Sequence, residues 1–447
     1  MRIISYLLNL GYCLLLAVVS PVIFYRVLIL KKYRSGLDQK LLGSLPVRDS
    51  SEPCFWFHAV SVGEVLQLPP LLEELAAQNP EVEFVISTTT HTGYAVAKEK
   101  FPQHCICYFP LDFSWAVSRA LRRIQPTAVF LVEMELWPNF VLAADQLKIP
   151  VSIINGRLSE NSFRGYQKIR ALVGPLLNRL HLIAVQTETY AERFANLRGN
   201  SEGIHVTGSI KFDGIQVERD DPLTDELRNT FQLKTSETIL VVGSTQSPEE
   251  RIALDVYLEA RKRFPQLRLI LVPRHQERFE EVAGLVKRYG LPLIRRSHQS
   301  REDVGSVLPF STSGQPAICL LDTLGELKAC WGLAAFAFVG GSLTKRGGQN
   351  MIEPAGFGAA LMFGPNTWNF KDVVDALIQH RAATVVQDQG ELLDTLVDWL
   401  EDPESARKQG VRAQTFVLNQ RGATSRTVEL IAPLVVDPDA SSCDRAA

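Results

Sequence analysis

The chain has 447 residues, too many for one comfortable hydrophobic core and suited to two domains of ordinary size. Apolar residues make up 46% and charged residues 21%, the balance of a globular protein rather than a disordered one. A net charge of −2 gives no basic field of the kind a nucleic-acid-binding protein carries.

The first segment stands apart. "ISYLLNLGYCLLLAVVSPVIF", residues 4–24, is uncharged over 21 positions, enough for one crossing of a bilayer core of ~30 Å. Only Arg2 precedes it, whereas Arg26, Lys31, Lys32 and Arg34 follow, which places the rest of the chain in the cytoplasm. The length of the run and the side on which the charge falls speak against a cleaved signal peptide. Asn9, Gly11 and Pro21 also admit a helix lying in the membrane interface. Residues 1–34 are therefore predicted to form a membrane-anchoring helix.

Strands and helices then alternate. "CFWFHAV", "VEFVIST", "TAVFLVE", "VSIING" and "LIAVQT" read as strands, with "WAVSRALRRIQ" and "FVLAADQLK" as amphipathic helices between them. "HVTGSIKFDG" closes this half, and the polar stretch "VERDDPLTDELRNTFQLKTSE" reads as a linker. The alternation restarts with the strands "TILVVGST", "LRLILVPR", "AICLLDT" and "AAFAFVGGS". Such alternation predicts two doubly wound α/β domains on parallel sheets, residues 35–222 and 223–436, with a disordered tail over 437–447. A ligand is expected between them, at the carboxyl ends of the strands.

Cysteines fall at 13, 54, 105, 107, 319, 330 and 443, an odd set without metal or redox spacing, as expected for reduced thiols in a cytoplasmic setting. Cys105 and Cys107 lie in a predicted strand with no partner Cys or His pair nearby in sequence.

Polar residues gather just after the predicted strands. Glu64 follows the first, Glu133 and Glu135 the third, and Lys211 lies in "GSIKFD". In the second half come Arg274 and His275, then Glu326. The richest stretch is "GGSLTKRGGQNMIEPAGFG", residues 340–358, where Gly340, Gly341, Gly347 and Gly348 permit close backbone approach and Asn350 can cap a helix. Its backbone N–H groups suit a phosphate, and Glu353 suits either the cap or a ribose diol. Glu64 alone reads equally as a carboxylate favoured by a helix N-terminus. No G-x-G-x-x-G follows the first strand and no G-x-x-x-x-G-K-[ST] occurs, which excludes dinucleotide oxidoreductases and P-loop enzymes. The Asp437-Pro438-Asp439 pair lies in the tail, not beside a strand end where a metal-dependent sugar transferase needs carboxylates.

"HAVSVGE", "VEMELWPN", "NGRLS", "GSIKFD", "VPRH", "DTLGEL" and "GGSLTKRGGQNMIEPA", in that order, resemble the motifs of the 3-deoxy-D-manno-octulosonate (Kdo) transferases of lipopolysaccharide biosynthesis. The resemblance runs to about residue 425. It implies the GT-B fold, two Rossmann-like domains facing a cleft. It also implies CMP-Kdo as donor, a lipid A precursor (lipid IVA) as acceptor, and an inverting mechanism without metal or cofactor at the cytoplasmic face of the inner membrane. By the same resemblance Glu64 is the general base, and Glu133 and Lys211 stabilise the transition state. CMP is expected on Pro273 and Arg274, on Leu324, Gly325 and Glu326, and on Asn350, Met351, Ile352 and Glu353. Departures from the pattern are Gln349 and Met351 in place of histidine and proline, Gln246 in place of histidine or an aromatic, and Ala59 in place of serine. A UDP-sugar enzyme of the same fold would bind UDP and make no special use of Lys211. The basic residues 26–34 and the cluster Arg157, Arg164, Lys168 and Arg170 are candidates for anionic lipid.

Overall fold

Seven parallel strands form the sheet of the first half: β1 Cys54–His58, β2 Glu83–Thr88, β3 Cys105–Tyr108, β4 Ala128–Val132, β5 Val151–Gly156, β6 Ile183–Val185 and β7 Ile204–Val206. Their order is β3-β2-β1-β4-β5-β6-β7. The computed structural model describes residues 2–28, 35–298 and 316–435, with side chains only over 5–20 in the first of these segments. The predicted tail 437–447 and the basic side chains of Arg26, Lys31, Lys32 and Arg34 lie outside what is described.

β1 shows why this half is layered on both faces. Every residue of Cys54–His58 is buried. Trp56 packs into one apolar layer with Phe109 and Phe140, while Phe55 and Phe57 pack into the other with Phe130. Side chains alternate across a strand, so a run with no polar break requires cover on both sides. Burial of each such aromatic contributes roughly 1.5–3 kcal/mol.

The second half repeats the plan with β8 Thr238–Thr245, β9 Leu267–Pro273, β10 Leu293–Arg295, β11 Ile318–Leu320, β12 Phe336–Val339, β13 Ala360–Phe363 and β14 Thr384–Val385. The order is β10-β11-β9-β8-β12-β13-β14, again parallel throughout. Contacts divide the chain after Gly214, and residues 420–435 pack with the first half. There the helix Ala423–Ile431 adds Ala423, Val428 and Ile431 to the layer behind Phe55 and Phe57. The stretch read as a linker is built into the second half instead. Asp221 caps the helix Pro222–Thr230 through the N–H groups of Leu223 and Thr224. The Arg219 guanidinium donates to the carbonyls of Gly332, Ala334 and Phe357 at 2.8–3.0 Å.

The N-terminal segment does form a helix, Arg2–Leu28, but the spanning anchor is not supported: among the described residues no helix is long and apolar enough to cross a membrane. Over 5–20 this helix is amphipathic in an inverted sense. Asn9 and Tyr12 face the protein, while Leu7, Leu10, Leu14, Leu15 and Val18 are 58–80% exposed. Asn9 exchanges hydrogen bonds with Ser114 (Nδ2 to Oγ, 2.7 Å; Oδ1 from the Ser114 N–H, 3.1 Å) and accepts one from Asn139. Tyr12 donates to Asp112 at 2.8 Å. Asp112 in turn caps the helix Pro138–Gln146 by accepting the N–H groups of Asn139 and Phe140. Burial pushes this carboxyl up to about 6, outweighing its three donors.

Candidate active site

The topological switch point of the first sheet lies between β1 and β4, where successive connections leave in opposite directions and open a crevice at the strands' carboxyl ends. Glu64 follows β1 on the single turn Val62–Val65. Its carboxylate accepts the Val60 N–H (2.7 Å) and the Ser61 hydroxyl (2.9 Å), so its head is fixed against its own turn. A Cβ at the neighbouring Gly63 would meet only Ser61 Oγ at 3.9 Å. Packing therefore does not demand glycine there; the space beside Gly63 is open.

Glu133 follows β4 and adopts φ +62°, a left-handed backbone costly for a residue with a side chain. Its N–H donates to the Ile154 carbonyl (3.0 Å) and its carboxylate takes Lys211 Nζ at 3.1 Å. Lys211 sits on the 3-10 turn Ile210–Phe212, and both partners of the pair stay partly open, 31% and 25% exposed. Glu135 completes the group.

Burial raises the Glu64 pKa, with Glu133 adding to the shift and Lys211 opposing it. Burial followed by the charges of Glu64 and Glu133 pushes Glu135 up to about 7. These mutual effects place three carboxylates and one ammonium within electrostatic reach of one another. His58, by contrast, is fully buried, stacks on Phe109 at 3.8 Å and is pushed down to about 3 by burial. It stays neutral near pH 7 and shapes the strand end without exchanging protons there.

In the second sheet the switch point lies between β8 and β12. Here the glycine-rich loop differs from its sequence expectation. The N–H groups of Gly341, Ser342 and Leu343 all donate to the buried Glu249 at 2.7–3.0 Å, as does that of Gln246. These amides are taken and do not form the phosphate cradle. Gly340 is demanded by packing, since a Cβ would lie 2.6 Å from Thr245 Cα. Replacement Glu249→Ala, which strands four donors, is expected to lower stability by roughly 2–3 kcal/mol, read by denaturant unfolding.

The remaining predicted residues cluster at strand ends of the same sheet. Arg274 follows β9 and is exposed; burial raises the Glu353 pKa, and the Arg274 charge is among the weaker influences opposing it. Glu353 accepts a hydrogen bond from Asn350 Nδ2 at 3.0 Å, while Asn350 Oδ1 takes the Ile352 N–H. Met351, Ile352 and Pro273 are buried. Glu326 accepts from Arg296 and from the Thr323 hydroxyl. Burial raises its pKa, but those donors outweigh it and hold the carboxyl below its ordinary value. Its side chain is thus committed, while next to it Leu324 is 67% exposed and Gly325 has φ +86°. Among the described residues no His, Cys, Asp and Glu side chains converge as a metal site.

Sequence reasoning assigns no role to Gln67, Asp112, Asn155 or Glu249. All four are buried polar residues beside strand ends or helix starts. Only the position of Asn155, immediately after an apolar strand, carries a signal.

Known proteins are similar to this chain in sequence and in fold. The family model described as 3-deoxy-D-manno-octulosonic-acid transferase (kdotransferase) matches residues 35–214. A 3-deoxy-D-manno-octulosonic acid transferase from Haemophilus influenzae is 33% identical over 383 residues, covering 85% of this chain and 86% of that one. One from Bordetella pertussis is 30% identical over 391 residues, covering 84% and 86%. Among solved structures, UDP-GlcNAc 2-epimerase from Neisseria meningitidis is similar with a TM-score of 0.56, covering 85% of this chain and 98% of that one. At 14% identity that likeness speaks for the fold alone.

Proposed function

Because the chain belongs to the 3-deoxy-D-manno-octulosonic acid (Kdo) transferases, glycosyltransferases of lipopolysaccharide biosynthesis, we propose that it moves Kdo from CMP-Kdo to a lipid A precursor, lipid IVA. The displacement is inverting and needs no metal, and Glu64 is its general base. The acceptor hydroxyl loses its proton to the Glu64 carboxylate as its oxygen bonds to the anomeric carbon. The bond from that carbon to the phosphate oxygen breaks, and CMP leaves with the electron pair. Positive charge on the sugar under transfer is met by the Glu133 carboxylate, and negative charge on the departing phosphate by Lys211. Arg274, the backbone of Leu324-Gly325-Glu326, and Asn350 through Glu353 hold CMP.

The observation that carries this reading is the meeting of Glu64, Glu133, Glu135 and Lys211 at one switch point. A carboxylate raised by burial is a stronger base than one in water, and Glu64 is such a group. The direct test is CMP release from CMP-Kdo. Release that requires lipid IVA supports the reading; release without it, or none in its presence, rejects the acceptor assignment.

Glu133 gives a pH prediction. Burial is the main cause of the raised Glu64 pKa, and the Glu133 charge adds to it; glutamine in place of Glu133 removes that charge. Since Glu64 works unprotonated, kcat/KM rises with pH through its pKa. In Glu133→Gln that rise in the residual activity should move to lower pH, measurable as a shifted acid limb.

The protein works at the cytoplasmic face of the inner membrane. In support, the N-terminal helix turns its leucines outward and its polar residues inward, the arrangement of a helix resting in a lipid interface. Arg164, Lys168 and Arg170 are exposed near Leu172, itself 70% exposed, and suit anionic headgroups.

A further inference from the structure

The motif "NGRLS" has no part in the mechanism so far. Its first residue, Asn155, is the last but one of β5 and is in an unusual state. It is fully buried yet polar, and its φ of +51° is left-handed. An asparagine held there at the cost of backbone strain has its side chain aimed for a reason.

That side chain joins two segments far apart in sequence. Its Nδ2 donates to Gln67 Oε1, and its Oδ1 accepts the Ile210 N–H at 3.2 Å. Gln67 donates in turn to the Gly63 carbonyl at 2.9 Å, on the turn that carries Glu64. Ile210 opens the 3-10 turn that carries Lys211. The Asn155 carbonyl is itself tied down by Gln186 Nε2 at 3.0 Å. Asn155 therefore links Ile210 directly, and Gly63 through the amide of Gln67, each adjacent in sequence to a proposed catalytic group.

We infer that Asn155 is a positioning residue for the transfer reaction, fixing the Lys211 turn against the Glu64 turn through Ile210 and Gln67. It is buried away from substrate and acts only through these neighbours. Any residue lacking either the donor or the acceptor on a short side chain breaks the span, because Gln67 and the Ile210 N–H need opposite partners. Groups held in this way must stay within a fraction of an ångström of the reacting atoms for the rate to be kept.

The inference rests on the proposed roles of Glu64 and Lys211, so the experiment separates the two. Asn155→Gly keeps the left-handed backbone and removes only the amide. Its kcat for Kdo transfer should fall about 10- to 100-fold, with KM for CMP-Kdo nearly unchanged. The readout that distinguishes positioning from general support is coupling. In a Lys211→Ala background, Asn155→Gly should lower kcat by less than about three-fold. Additive losses, or a full-rate single variant, overturn the inference while leaving the reading of Lys211 standing. Normal kcat in Lys211→Ala alone shows that the underlying reading has failed, and the inference falls with it. Should Asn155→Gly not fold, Gln67→Met cuts the other end of the span and is expected to show the same loss of kcat and the same coupling.

Discussion

Glu64→Gln is expected to lower kcat by about 10²- to 10⁴-fold while CMP affinity stays near that of the parent. Glutamine has the shape of the carboxylate it replaces. Its carbonyl oxygen can accept the Val60 N–H, and its amide can donate to Ser61 Oγ, because a hydroxyl reverses its role by rotating. The turn Val62–Val65 is thus retained, and what disappears is the ability to take a proton. The competing account is local. Glu64 sits three residues after Ser61 and bonds back to that turn, as a helix-start carboxylate does. If that were its whole purpose, Glu64→Gln would shift the melting temperature slightly and leave kcat within a few-fold. Single-turnover rates beside a melting curve separate the two accounts.

Lys211→Ala should cost about 10²- to 10³-fold in kcat, equivalent to roughly 3–4 kcal/mol of transition-state stabilisation. In the free protein Lys211 pairs with Glu133, but both remain partly exposed, so the pair contributes little to folding. The loss should appear in rate rather than stability. Glu133→Gln should behave similarly, and the double variant should lose less than the product of the two, because the groups form one charge-balanced unit. A melting temperature that falls while kcat holds would mark the pair as structural.

Much of the fold and part of the site are legible in the sequence. Strand runs such as "CFWF" and "AVFLV" are apolar without interruption, and such runs fit a sheet covered on both faces. Polar residues just beyond them therefore have to fall at the carboxyl edge, which is how Glu64, Glu133 and Arg274 can be singled out. Short edge strands such as Thr384–Val385 carry too few residues for a pattern to register. The glycine-rich loop misleads because four glycines signal freedom of backbone but do not reveal what the amides bind. Glu249, some ninety residues earlier, is the missing partner. Asn155 is invisible in its role for the same reason: its partners lie at Gln67 and Ile210, and no local spacing predicts such a span.

The N-terminal helix teaches a related point. A run of leucines says that an apolar surface exists, but not which side of it is already used. Asn9 and Tyr12, minor interruptions in the sequence, dock the helix onto Ser114, Asp112 and Asn139. Asp112 also holds the helix that begins immediately after Glu135 and Trp137. Docking of the N-terminal helix and the start of the helix that follows the Glu133–Glu135 segment thus share one carboxylate.

The most direct measurement of the central claim is the mass of the lipid product. Lipid IVA is incubated with CMP-Kdo and the purified protein, and with Glu64→Gln in parallel. A gain of one or more Kdo units with the parent, absent at equal times with the variant, is the result predicted. An unchanged lipid with a folded, CMP-binding parent, or equal gain with the variant, would contradict the account.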